Sequence, residues 1–515
     1  MATVKLSQQT YNNFSGGYAC EQAYKSQDKV SFIGDSKNID VYSADDDNSG
    51  YGFKKILGNT LYTQIKDEQI KGLFVYQASA SEDYLIIYTV NDTEGKLYYM
   101  DINNSINLII DGLDKDATQC SFVNFSQTLP NKRYLGIFGN GSDPFIKFEM
   151  NADPKVEEID ETDIEGRSVR SAVLEVFYGR VWCAVADRVH WSKSLDPFTW
   201  ATDEDDAGYN QLDGDVIGLS TYADGLIIST NRSIYYCAKD TSDSGFVFSV
   251  LSPNHAVSSR GIVKHANYTL YMASDGIYPV NTTQENTKLV QNDVSWLISN
   301  YYRAKNSYST DDMFACSVVC SDKNEVWFHI PMLNGGNKSY IFIYRFLQGH
   351  QKKLYWLPPR IQQKINCLCV FKNLILSGTD NGEILRELSG TTFNGENIEA
   401  IAEFPELDFN GTYNKQKFKL YLYSELNKDN KFYVDYFYDG ESEYDRQEVI
   451  LENSSFNWDE GNWDEENWAP IVILQYQLDK PRKHNRLKVR FIAENSEQDF
   501  TINRIETTKI KVKNK

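Results

Sequence analysis

Residues that build reactive or cross-linked sites are scarce in this chain. Six histidines and eight cysteines are spread over 515 residues. That cysteine density is too low for a disulfide scaffold. Cys316 and Cys320 lie four apart and Cys367 and Cys369 two apart, on strand-like runs. Both spacings are even, so each pair shares one strand face. A zinc site would need a matching Cys/His pair at ligand spacing, and none of the histidines completes one. Buried free thiols are expected, with no metal and no cofactor. No run approaches the ~20 apolar residues that span a bilayer. Met1 to Gln9 is polar and lacks the charged-then-apolar layout of a secretory leader, which implies synthesis in a cytoplasm. GxGxxG, GxxxxGK[ST], GxSxG and HExxH are all absent. Basic residues are also in deficit: 52 Lys+Arg face 72 Asp+Glu, a net charge of −20, which disfavours wrapping DNA through its phosphates.

Aromatics are abundant: 34 Tyr, 27 Phe and 9 Trp suit pleated, half-buried surfaces and point to β structure. A unit of turn, apolar run, turn and second strand recurs. It is clearest in Tyr178 to Ser192, Tyr222 to Cys237, His265 to Val280 and Phe371 to Leu388, with weaker copies from Ser81, Lys132 and Asp322. The apolar runs begin near Leu85, Leu135, Val181, Leu226, Leu270, Val326 and Leu374, at gaps of 50, 46, 45, 44, 56 and 48 residues. Four short strands with their turns fill that length, the unit of a propeller blade. The expectation is an all-β chain: a β-propeller of six to eight blades, best matched by seven, over residues 28–388. A run of unrelated hairpins in several all-β domains is the competing arrangement.

Residues 1–27 read as an N-terminal arm. In the longest gap, Asn292 to Asn306 places Val294, Leu297, Ile298 and Tyr301 at helical spacing, with Asn292 or Asp293 as cap. This predicts a helix inserted between blades. After Leu388 the repeat stops. Turn-rich Ser389 to Asn397 marks a boundary, and alternating strands over 398–515 suit a β-sandwich-like domain. Its inner face would carry Phe418, Leu420, Leu422, Leu487, Val489 and Phe491.

Candidate site residues are few. His190 and His329 flank Trp in strand-like runs, where a packed imidazole is the default. Asp45, Asp46 and Asp47, and likewise Asp203, Asp205 and Asp206, lie in turns that open like a calcium loop. The twelfth positions are Ile56 and Gly214 rather than Glu, so solvated turns are expected. No carboxylate pair is singled out for glycoside hydrolysis. Trp458, Trp463 and Trp468 recur every five residues in an acidic stretch, which suits either a contact surface or a self-packed loop. From Lys480 onward 11 Lys+Arg face 4 Asp+Glu, a local +7 that leaves −27 elsewhere. Arg486, Lys488 and Arg490 carry part of that excess on one strand face, and a partner's acidic surface is their expected counterpart.

Phe177 to Trp200, Asp215 to Cys237 and Asp275 to Val280 resemble propeller segments of phage tail proteins. The likeness is to the nozzle, or tail-tube distal, proteins and related DNA-stabilisation proteins of short-tailed double-stranded DNA bacteriophages. His190, Trp191 and Ser192, then Pro197 and Phe198, match the family's aromatic-Trp-Ser step and Pro-aromatic pair. The Gly-Gly of Asn12 to Tyr18 is also similar. The Asn/Lys/Tyr/Ile-rich composition resembles that of AT-rich genomes such as those of crAss-like phages. The resemblance implies a non-enzymatic virion tail protein, made in the host cytoplasm and assembled with other tail or connector proteins. It also implies a homo-oligomeric ring, usually a hexamer, around the channel through which DNA leaves. The two acidic loops would suit that channel or its rim, where DNA passes without tight binding. The resemblance supplies no catalytic residues. A receptor- or glycan-binding propeller and a propeller glycoside hydrolase are the alternatives.

Overall fold

The computed structural model describes the chain except residues 1–5, 12, 21–24, 27–28, 44–50, 118, 128–132, 151–154, 164, 201–205, 241–244, 266–267, 281–292, 306–314, 332–336, 347–353, 409–415, 426–429, 452–470, 478–485 and 512–515. It is an all-β structure of many small antiparallel sheets, propeller-like in its repetition. Among the described residues the one α-helix is Ser299–Lys305.

The chain divides into two compact units. An inserted unit holds Thr60–Ile341 and Gln363–Glu387; a terminal unit holds Met1–Asn59, Phe342–Gln362 and Leu388–Lys515. This partition differs from the linear boundaries read from the sequence. Residues 28–59 and 342–362 group with the C-terminal segment rather than with the repeats. Within the N-terminal arm, Leu6–Tyr11 pairs antiparallel with Arg504–Lys511.

Among the described residues seven sheets follow one another in the inserted unit. Sheet I orders Gln69–Gln77, Asp83–Val90, Gly95–Met100 and Ile106–Leu113. Sheet II orders Ser121–Gln127, Arg133–Gly139, Phe145–Glu149 and Lys155–Ile159. Sheet III has Leu174–Phe177, Arg180–Val185, Arg188–Trp191 and Gly208–Gln211. Sheet IV has Val216–Tyr222, Gly225–Thr230, Ile234–Lys239 and Phe246–Ser252. Sheet V has Ile262–His265, Tyr268–Met272 and Ile277–Val280. Sheet VI begins Cys316–Cys320, Glu325–Pro331 and Lys338–Phe346. Sheet VII has Cys367–Phe371, Leu374–Gly378 and Glu383–Glu387, beside which lies Asn59–Gln64. The seven apolar onsets read from the sequence fall on the second strands of these seven sheets.

The first strand of each sheet lies beside that of the next, and the first strand of VII lies beside that of I. Apolar layers fill the spaces between neighbours. Ile70, Leu73, Leu85, Ile87 and Met100 of sheet I pack with Cys367, Cys369, Phe371, Leu376 and Ile384 of sheet VII. Comparable layers join I to II, II to III, III to IV and IV to V. Covering both faces explains why second strands such as Gly225–Thr230 are buried at every residue instead of at alternate ones. Each large apolar side chain so buried contributes roughly 1.5–3 kcal/mol.

The insertion after sheet V is a 3-10 turn, Trp296–Ile298, running into the helix Ser299–Lys305. The expected helix is thus shorter, because Asp293 Oδ1 takes the Ser295 amide at 2.7 Å and its hydroxyl at 2.5 Å and holds that stretch in a turn. Ile298 and Tyr302 are buried, and the Tyr302 hydroxyl donates to the Ala273 carbonyl at 2.9 Å.

Among the described residues the terminal unit contains a four-stranded sheet, a five-stranded sheet in which Leu407–Asp408 adds to Arg486–Ala493, and two smaller sheets. The first orders Leu6–Tyr11, Arg504–Lys511, Gln416–Glu425 and Ile471–Gln477; the second orders Ala400–Glu403, Arg486–Ala493, Asn430–Tyr438 and Tyr444–Leu451. Leu487, Val489 and Phe491 are buried as expected, while the side chains of Phe418, Leu420 and Leu422 lie outside the described residues. Phe53 is the hub of the core, 4.8 Å ring to ring from Phe14, 5.3 Å from Phe404, 5.6 Å from Phe491 and 5.9 Å from Phe500. The Gly16-Gly17 step has a steric reason. Gly17 has φ +72°, and a Cβ there would lie 2.9 Å from the Trp356 carbonyl oxygen.

Candidate functional site

Period-2 alternation on Arg486–Ala493 turns Leu487, Val489 and Phe491 into the core and leaves Arg486, Lys488 and Arg490 on the other face. The sequence expectation gave these cations an acidic surface on an adjacent subunit. In the structure each has a carboxylate from its own unit. Arg490 Nη2 lies 2.8 Å from Asp435 Oδ2, Lys488 Nζ 2.9 Å from Glu403 Oε1, and Arg486 Nη1 3.4 Å from Glu406 Oε2. Asp435 is fully buried, and a second guanidinium grips it: Arg446 donates at 2.8 Å and 3.1 Å to its two oxygens and at 2.6 Å to Glu494. Register places Asp435 opposite Arg490 on one side and Arg446 on the other. Phe437 lies under both Lys488 and Arg490, with the cations 4.4 Å and 4.9 Å from its ring centre. This face is therefore a cross-strand ion and aromatic network with little spare charge.

The other sequence candidates divide between two fates. Trp458, Trp463, Trp468, Asp45, Asp46, Asp47, Asp203 and Asp205 lie outside the described residues. Asp206 is described. Its carboxylate takes Arg180 Nη2 at 3.2 Å, and its carbonyl takes Arg180 Nη1 at 2.8 Å and the Trp191 indole at 2.9 Å. Asp206 thus fastens its own loop onto sheet III.

The two histidines are interior. Burial pulls the His190 imidazole down to about 4, so the ring is neutral at physiological pH. His329 is fully buried, with Nε2 2.9 Å from Ser339 Oγ and Nδ1 3.6 Å from Cys316 Sγ. All eight cysteines are free thiols, seven of them buried. Glu175 was not singled out by the sequence reading. On the first strand of sheet III, burial pushes its carboxyl up to about 7 against the opposing effects of the Val176 amide and Lys264. Its only sequence signal is a lone charge inside an apolar strand, LEVF. Asp435 carries the same signal within FYVDYFY.

No family model matches the chain, and no curated protein matches it. Among solved structures that match is a computationally designed protein, Ika8. It is 12% identical, with 64% of this chain and 100% of that chain covered, at a TM-score of 0.35. A likeness at that level carries no argument about fold or function.

Proposed function

We propose that the chain is a structural subunit of a phage tail, a ring-forming nozzle or connector protein that lines or closes the DNA exit channel. In this reading the inserted unit is a closed seven-bladed β-propeller whose blades are sheets I to VII. One observation carries the architecture: the succession of first strands returns from sheet VII to sheet I. An apolar layer fills that junction, and Asn59–Gln64, from the start of the repeat region, supplies the strand beside Glu383–Glu387 in sheet VII. Completing the last sheet with an early strand joins the two ends of the repeat and leaves no open sheet between them.

The tail assignment draws on the resemblance of Phe177 to Val280, which folds as sheets III to V. There the aromatic-Trp-Ser step has a mechanical task. Ser192 is fully buried, its hydroxyl accepting the Val181 amide at 3.0 Å, and Trp191 packs at 5.1 Å on Trp182. The acidic balance suits a conduit, since counterion release at a Lys/Arg wall would grip passing duplex.

Light scattering on the purified full chain, with peptide mass spectrometry of phage particles, tests the reading. Assembly to about six copies of the 59.1 kDa chain and its presence in virions are expected. A monomer at micromolar concentration that is absent from particles would overturn the tail assignment. A particle reconstruction with other than seven sheets around the axis would overturn the blade count.

A further inference from the structure

Where the first strands of sheets I, V, VI and VII begin, one guanidinium collects groups from several sheets. Arg260, in the 3-10 turn Ser259–Gly261 that leads into sheet V, donates from Nη1 to the Lys71 carbonyl of sheet I at 2.9 Å. Its own carbonyl accepts the Ser317 hydroxyl of sheet VI at 3.0 Å. The ionisable groups that bear on the guanidinium are the thiols of Cys120, Cys316 and Cys367. Glycines make the room: a Cβ at Gly72 would lie 2.6 Å from Cys120 Sγ, and one at Gly378 2.9 Å from Cys367 Sγ.

Nη2 is sealed from solvent and, among the described residues, has no hydrogen-bond partner. Among the described residues no carboxylate forms an ion pair with Arg260. Asp380, which meets Lys71 at 3.1 Å, is also held by Lys364 and Asn366, each at 2.7 Å. The thiols cannot supply the missing charge, since burial pushes Cys120 and Cys316 up to about 11 and Cys367 higher still. They are neutral at physiological pH. Arg260 is partly buried, and a sealed donor without a partner in a native fold calls for a bound ion or water.

We propose that this cluster is a halide site, in which chloride is held by Arg260 Nη2 among the three polarisable thiols. A monatomic anion is small enough to meet the sealed Nη2, and the soft sulfurs favour it over a strongly hydrated oxyanion. The site is independent of the tail assignment. Thermal unfolding of the full chain, with sodium chloride or bromide replacing sodium gluconate at constant ionic strength, tests it. The expected result is a saturable rise in Tm of about 2–4 °C, lost in Arg260→Met. A rise without saturation, no rise, or the same rise in R260M would overturn the site. Should R260M not fold, bromide-soaked crystals of the unaltered chain decide. An anomalous peak within hydrogen-bond reach of Nη2 supports the site, and water or empty density there overturns it.

Discussion

Glu175 and Asp435 are both acids on interior strands, but only Asp435 is paired with arginines. Glu175 has a folded-state pKa of about 7, above the ordinary ~4.3 of an unfolded chain. Below that lower value it is neutral in both states. Between the two values the unfolded chain gives up its proton first, so stability falls as pH rises, and the cost is complete above about 7. Glu175→Gln should therefore raise Tm at pH 8 and leave it nearly unchanged at pH 4, by differential scanning calorimetry at both. An equal shift at both pH values would mean that packing, not charge, sets the effect. Asp435 is instead the shared anion of two arginines. Asp435→Asn leaves Arg446 and Arg490 without their common carboxylate and should cost about 3–5 kcal/mol in urea unfolding. A loss below about 1 kcal/mol would show that Glu494 and solvent carry the pair without it.

Turns and short strands were the most legible elements. Apolar runs separated by turn signals placed the second strand of each of sheets I to VII, because a strand buried on both faces reads as a continuous apolar segment. The two-residue turns between first and second strands also show in the letters. Tyr178-Gly179, with φ +53° and +70°, and Lys372-Asn373, with φ +48° and +62°, take the left-handed values that tight hairpins need. Less legible was the fourth strand of sheet VII. Asn59–Gln64 lies more than three hundred residues from its neighbour Glu383–Glu387, and no local pattern records such a pairing. Gly382 shows how tight that place is: φ is +71°, and a Cβ would lie 1.9 Å from the Ile65 carbonyl oxygen. Gly382→Ala should lose about 1–3 kcal/mol and loosen amide-exchange protection over residues 60–64 first. Unchanged protection there would separate the glycine from the strand junction.

For the whole molecule, charge asymmetry was visible in the sequence, and the structure gives part of it partners within the chain. A surplus of +7 after Lys480 suggested attraction between subunits. Carboxylates that come from segments far away in the chain, Glu403, Glu406 and Asp435, meet Arg486, Lys488 and Arg490 within the terminal unit. Reversing all three charges should therefore lower the unfolding midpoint of the purified chain before any assembly is assayed. A triple variant that melts like the unaltered protein would return these residues to the surface role the sequence suggested. A unit made from three separate segments leaves no single break in composition for a sequence to show. The pairing of Leu6–Tyr11 with Arg504–Lys511 also imposes a timetable. At ~5–20 residues per second, a ribosome emits the first of these strands at least about 25 s before the second. All the segments of the inserted unit are present once Glu387 has emerged. The nascent chain must therefore keep its opening strand unpaired while the repeats assemble, and a chaperone that shields an extended N-terminus would find its client during that interval.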